Sequence, residues 1–334
     1  MFTTATVLGP ILLFSQITLA PPPDLPAAPD KIGLFKDGTI WVLGNDLFHY
    51  DRAGDLIVRT SPPVLGALPT SVYWDGDFYF LCQHDPNSSE IRTWTSVLAG
   101  GQELYRTTDF FSRYFRPVGK TVWGFPYLSL DQFWTSTPPF LGTELILGFD
   151  GNILEHATGL QLYPATLAHL ETNLNFKLLW FAQKGSLLAI VSQIFPEVIL
   201  FQGNLEKGKV SLDLPRFSLY RAALPNPPKA MDHSKYLANW FYSWSRILGF
   251  GTHGQGYYIA YEGNNCRDGE CAKPDLMIQP LDMDFNPIGA PIERGPETFF
   301  VGSFDNAFYI FHPNIEETEK GPAPHPTIEV LPVD

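Results

Sequence analysis

A short hairpin turn recurs six times along this chain, and no other feature limits the available folds so sharply. The copies are Lys36-Asp37-Gly38-Thr39-Ile40-Trp41, Trp74-Asp75-Gly76-Asp77-Phe78-Tyr79, Val118-Gly119-Lys120-Thr121-Val122-Trp123, Gln183-Lys184-Gly185-Ser186-Leu187-Leu188, His253-Gly254-Gln255-Gly256-Tyr257-Tyr258 and Phe304-Asp305-Asn306-Ala307-Phe308-Tyr309. In each, an apolar strand runs into a turn holding Gly or Asn, and the next strand opens with aromatic or β-branched residues. Asp-Gly and Asp-Asn tolerate the positive φ that a tight hairpin demands, so the recurrence has a conformational cause.

A second turn follows each of the first five copies, at Asp51-Arg52-Ala53-Gly54, Ala99-Gly100-Gly101, Phe149-Asp150-Gly151-Asn152, Gly203-Asn204-Leu205-Glu206 and Asp284-Phe285-Asn286-Pro287. Two hairpins per copy make a four-stranded unit, clearest as strands over residues 31–35, 39–43, 47–52 and 55–60. Gly38, Gly76 and Gly119 lie 38 and 43 residues apart, and the later copies are stretched, so extra segments hang from a regular frame. A four-stranded sheet of about 40 residues cannot bury both its faces alone, whereas several packed radially cover those faces and protect their edges. The expectation is an all-β chain forming a single-domain six-bladed β-propeller, with inserted loops and a short helix between blades four and five. Two stacked β-sandwiches would also suit short strands and turns, but six like units favour the ring. At 334 residues, 45% hydrophobic, the chain can fill such a core, and its 30 prolines and 28 glycines suit a fold dominated by turns.

The Asp-Gly-x-Ile-aromatic turn at residues 37–41, and Tyr-Asp-x-x-Gly-x-Leu-Ile at residues 50–57, resemble the blades of six-bladed propellers of the NHL and TolB-like superfamily. The resemblance covers residues 31–334 and implies the fold and no particular activity. After residues 308–311 and 327–333 the sixth copy ends without a fourth strand. Ring closure is expected from residues 22–31, although the prolines there are poor strand formers.

Residues 7–20 form an apolar run ending in Thr18-Leu19-Ala20, a small-residue processing site. Residues 1–20 are accordingly read as a signal peptide, 21–30 as a Pro-rich linker, and the protein as extracytoplasmic, either periplasmic or secreted. Pro10 interrupts the run, which falls short of the roughly 20 apolar residues of a span, so no membrane span is expected in the mature chain. Cys266 and Cys271 enclose four residues of a turn-like stretch and are expected to form a disulfide, which fits an oxidising compartment. A metal site would need a second ligand pair at matching spacing, and none is present. Cys82, inside an apolar run, is expected to be a buried free thiol.

A formal charge of −13 with no Lys/Arg-rich face opposes nucleic-acid binding. The chain has no Gly-x-Ser-x-Gly elbow and no His-Glu-x-x-His, and its eight histidines are scattered, so no catalytic residue, metal ligand or cofactor is assigned. Loops that leave a propeller frame are the first place to look for a site. Residues 125–142 carry Phe133 and Trp134. Residues 215–247 carry Asp232, His233 and Lys235 beside Tyr236, Trp240 and Trp244, whose i, i+4, i+8 spacing would align them on one helix face. Such a stripe is more often core packing than a ligand platform. The third insertion, residues 262–275, contains the two cysteines.

The expected function is an exported, non-catalytic propeller that binds a protein, peptide or small molecule through its inserted loops. The alternative is a metal-dependent hydrolase or lyase with its site at the mouth of the central channel, where carboxylates from several blades would converge. Its candidates, Asp75, Asp77, Glu144, Asp150, Asp305 and Asn306, lie mostly in turns, where Asp and Asn are expected for backbone reasons.

Overall fold

The computed structural model of the chain describes residues 15–21, 23, 31–62, 66–87, 92–118, 121–126, 142–162, 179–219, 233–254, 256–267, 270–318 and 321–333. The chain enters at β1 (Ser15–Thr18) and then lays down its blades in order. Blade one is β2 (Ile32–Leu34), β3 (Ile40–Leu43), β4 (Leu47–Tyr50) and β5 (Leu56–Thr60). Blade two is β6 (Leu68–Trp74), β7 (Tyr79–His84), β8 (Thr93–Ala99) and β9 (Gln102–Thr107). Blade three is β10 (Ser112–Val118), β11 (Thr121–Pro126), β12 (Gly142–Phe149) and β13 (Leu154–Leu162). Blade four is β14 (Leu179–Lys184), β15 (Leu187–Ser192), β16 (Glu197–Gln202) and β17 (Leu205–Ser211). A helix, α1 (His233–Tyr242), precedes blade five, which is β18 (Ile247–His253), β19 (Gly256–Arg267), β20 (Glu270–Leu281) and β21 (Ile292–Arg294). Blade six takes β22 (Phe299–Phe304) and β23 (Ala307–His312), then passes through a side hairpin, β24 (Ile315–Thr318) and β25 (Gly321–Pro324), before β26 (Thr327–Pro332). Every blade is an antiparallel sheet of four strands.

The period of two along each strand explains how flat sheets become a ring. In β3, Ile40 and Val42 point into a cluster shared with blade six, while Trp41 and Leu43 point into one shared with blade two. In β23, Phe308 and Ile310 face blade five, while Tyr309 and Phe311 face blade one. Six such clusters occur, one between each pair of consecutive blades, including six and one. Because both faces of a blade pack against its neighbours, the middle strands of blade one are wholly buried: all four residues of β3 and of β4, His49 among them. Ion pairs add to the seams: Arg294 of blade five grips Glu329 of blade six, whose other oxygen lies 3.0 Å from His312 Nε2.

The closure differs from the sequence-based expectation. The fourth strand of blade six is β1, paired antiparallel with β26 in the register Ser15 to Val330 through Thr18 to Thr327; residues 22–31, from which closure was expected, lie outside the described residues except for 23 and 31. β1 thus lies inside the segment read as residues 1–20. The reason is packing: Leu19, at the end of β1, is 1% exposed in the cluster between blades six and one.

Strand direction alternates within each blade, so the connections sort onto two faces. The first turn of every blade and the third turn of blades one to five lie on one, the turn face. The connections between second and third strands, and between blades, lie on the other. Among the described residues that second face carries α1, the long β19–β20 hairpin and the β24–β25 hairpin, and it is called the insertion face below.

Candidate functional site

The turn face is built by carboxylates that fold their own backbone. Asp75 Oδ1 accepts the amides of Asp77 and Phe78, both at 2.8 Å, and Asp150 Oδ1 accepts those of Asn152 and Ile153, both at 2.8 Å. Asp51 and Asp282 serve their turns in the same way. The amides of Asn152 and then Ile153 hold the Asp150 carboxyl below the usual carboxylate range. Asp305 and Asn306 supply the consecutive positive φ values, 49° and 55°, of a tight hairpin turn. These residues occupy turn positions for backbone reasons, as the sequence suggested. Glu144 sits on β12 against Gly159, away from the channel wall.

Among the described residues, the longest element on the insertion face is the hairpin of β19 and β20, twelve residues each and extending past blade five. Near its tip Cys266 and Cys271 are direct cross-strand partners and are joined as a disulfide. Two supports hold it. From the chain leaving blade four, Arg216 donates to Asp275 at 2.7 Å, to Glu293 at 2.8 Å and to the Asn264 carbonyl at 3.2 Å, and also reaches Asn265. From α1, Asn239 Oδ1 accepts the Cys271 amide at 3.2 Å, and the Tyr242 carbonyl accepts Asn264 Nδ2 at 3.0 Å. The helix is fixed in turn by Arg246, which stacks 4.4 Å over the Phe241 ring while paired with the buried Glu262.

The predicted site residues divide. Phe133, Trp134 and Asp232 lie outside the described residues. His233 and Lys235 fall in the first turn of α1, and Trp240 is half-buried near its end. Trp244 is 1% exposed and lies beyond the helix, which stops where Ser243 donates from both its amide and its hydroxyl to the Trp240 carbonyl. The stripe therefore does not continue to Trp244, which packs inside between Trp240 and Phe241.

The six innermost strands enclose a cavity of about 340 Å³. Rings dominate its wall, among them Phe35, Trp41, Phe115, Trp180, Phe250 and Tyr258. The charged residues on the described wall are Lys36 and Arg116; it carries no carboxylate. Arg116 lies 4.0 Å over the Trp180 ring and donates to its neighbour's carbonyl at Phe115. Among the described residues, no group of three or more His, Cys, Asp or Glu stands close enough to hold a metal ion. Hard cations need several converging oxygens, and the described wall supplies none from carboxylates.

One polar chain escaped the sequence reading. His49 is fully buried between blades one and two, its Nδ1 2.5 Å from the Tyr79 hydroxyl and its Nε2 2.7 Å from Thr39 Oγ1. Thr39 in turn donates to Asp37 Oδ1 at 2.7 Å. With the threonine proton spent on Asp37, the consistent assignment is a neutral imidazole that donates from Nε2 and accepts from Tyr79 at Nδ1. Burial pushes the His49 pKa from 6.5 to about 4, against the pull of Asp37 and Asp51. Sealed from solvent, this histidine ties two blades together and cannot serve a substrate as acid or base.

No family model and no curated protein matches the chain. Among solved structures it is similar to a member of the DUF4221 family from Bacteroides vulgatus, at 11% identity over 95% of this chain and 96% of that one, with a TM-score of 0.50. It is also similar to a protein from Bacteroides fragilis whose name marks it as exported, at 8% identity over 96% and 95%, with a TM-score of 0.50. At such identities the likeness shows a shared fold and nothing of activity.

Proposed function

We propose that this chain is an exported, non-catalytic propeller that holds a protein, peptide or small-molecule partner on its insertion face. The observation that carries the reading is the disulfide-closed β19–β20 hairpin, which extends past blade five on that face and is braced from two sides. A hairpin held in one conformation loses little entropy on binding, which favours a docking element over a mobile loop. The carboxylate-poor wall of the cavity supports binding over metal-assisted hydrolysis. Export is supported by the disulfide and by the name of the Bacteroides fragilis structural neighbour. Kinship with NHL and TolB-like propellers rests on the turn pattern of blade one. The net charge of −13 argues against a nucleic-acid partner.

Photo-crosslinking from both faces tests this. A crosslinking residue replaces Arg267, exposed near the hairpin tip, or Asp284, exposed on the turn face, in cells producing the full chain. Adducts of discrete mass from position 267 and none from 284 are expected. Equal adducts from both faces, or metal-dependent turnover of lactones or phosphoesters by the purified protein, would overturn the reading.

A further inference from the structure

We propose that residues 15–21 are a permanent clasp of the folded protein, so that a leader peptidase acting on this chain must cut before Ser15 and not after Ala20. The sequence-based cut would remove all of β1. Every residue from Gln16 to Pro21 except Thr18 has a contact of its own beyond the four-residue pairing with β26. Gln16 Nε2 donates to Thr327 Oγ1 at 2.8 Å, and Ile17 packs against the cluster between blades six and one, in which Leu19 is buried. The Leu19 amide donates to the Pro326 carbonyl at 3.3 Å. Ala20 donates to the Gly54 carbonyl at 3.0 Å and accepts from the Leu56 amide at 3.2 Å, while the Tyr50 hydroxyl donates to the Pro21 carbonyl at 2.8 Å. The clasp thus spans blades six and one.

A second observation shows that blade one is shaped to receive it. Gly54, at φ 96°, approaches β1 so closely that a Cβ would stand 2.2 Å from the Thr18 carbonyl oxygen. The same junction recurs one blade on. There Gly101, at φ 82°, meets the end of β5, where a Cβ would stand 3.0 Å from Thr60 Oγ1, and Thr60 donates to the Gly101 carbonyl at 3.0 Å. β1 therefore occupies the same outer-strand position in blade six that β5 occupies in blade one, and its loss would leave β26 as an open sheet edge.

The test has two arms. The full chain is produced in a secreting host and its mature N-terminus read by intact mass; an N-terminus at or before Ser15 is expected, and one at Pro21 on a cooperatively melting protein would overturn the proposal. Separately, chains beginning at Ser15 and at Pro21 are compared by thermal unfolding. The shorter chain should melt lower by on the order of 10 °C. A synthetic peptide covering residues 15–21 should restore the difference, and the same peptide carrying Leu19→Ala should not. Equal melting of the two chains would refute the clasp. If the shorter chain does not fold, Leu19→Ala in the full chain decides: a lowered melting temperature supports the clasp, an unchanged one contradicts it.

Discussion

Acidification from pH 7 to pH 4 is expected to remove about 3 kcal/mol of stability through His49 alone. Its imidazole has no exposed surface, and the rings of Phe35 and Trp74 lie 4.8 and 5.0 Å away, both edge-on. Burial lowers its pKa from 6.5 to about 4 in the folded chain. As the pH falls below 6.5 the unfolded chain takes up this proton first, so stability drops until about pH 4, where the folded chain protonates as well. Each pH unit in that window is worth ~1.4 kcal/mol, which sets the total at about 3 kcal/mol. Protonation would also put a second N–H opposite Tyr79, whose hydroxyl would have to turn from donor to acceptor. Urea unfolding at intervals from pH 7.5 to 4, on the parent and on His49→Gln, isolates the effect. Other groups with lowered pKa, such as His253, act in both chains and cancel in the difference. The advantage of the parent over His49→Gln should shrink by about 3 kcal/mol toward pH 4. Parallel pH profiles would show that His49 is solvated or charged in the fold, and would refute the buried-relay reasoning.

Further outcomes follow from the seams and the hairpin. Replacing Cys266 and Cys271 by serine releases a closed loop worth about 2 kcal/mol, and hydrogen exchange should rise over residues 263–275 while the rest of the ring keeps its protection. Arg294→Met leaves Glu329 half-buried beside His312 without its guanidinium; urea unfolding should show a loss of roughly 1–3 kcal/mol. Because Arg294, ahead of His312, holds the Glu329 carboxyl below its usual range against burial, the parent's advantage should fade as the pH drops into the carboxylate range. Gly33→Ala would place a Cβ 2.6 Å from the Trp41 ring on the cavity wall, and should cost roughly 1–3 kcal/mol in the same assay.

Local chemistry was legible in the sequence, and contacts between distant segments were not. The first-turn repeats fall between the first two strands of all six blades, and the second turns fall where they were placed in blades one to five, because an isolated Gly38 at φ 84° or an Asp305-Asn306 pair carries its conformational demand with it. The disulfide was readable because only four residues separate its cysteines. Its supports were not, since Asn239 and Arg216 reach it from elements 32 and 59 residues away. β1 was hidden for two reasons: its Ser-Gln-Ile-Thr is an outer strand with three exposed residues, and its partner lies 311 residues on. An apolar run at the N-terminus also fits a leader as well as it fits a clasp. The aromatic stripe failed at Trp244 because spacing alone does not reveal that Ser243 ends the helix.

The binding reading rests on a closed six-bladed frame, and β1 is the strand that completes its sixth blade. Ile17 and Ile328 are directly paired across β1 and β26 and belong to one buried cluster. The most direct measurement is therefore oxidation of the double variant Ile17→Cys/Ile328→Cys, followed by peptide mapping without reductant. A linked peptide joining positions 17 and 328 is expected from the folded protein and should be absent when the chain is denatured before oxidation. Failure of that link to form in protein that still melts cooperatively would contradict closure by β1.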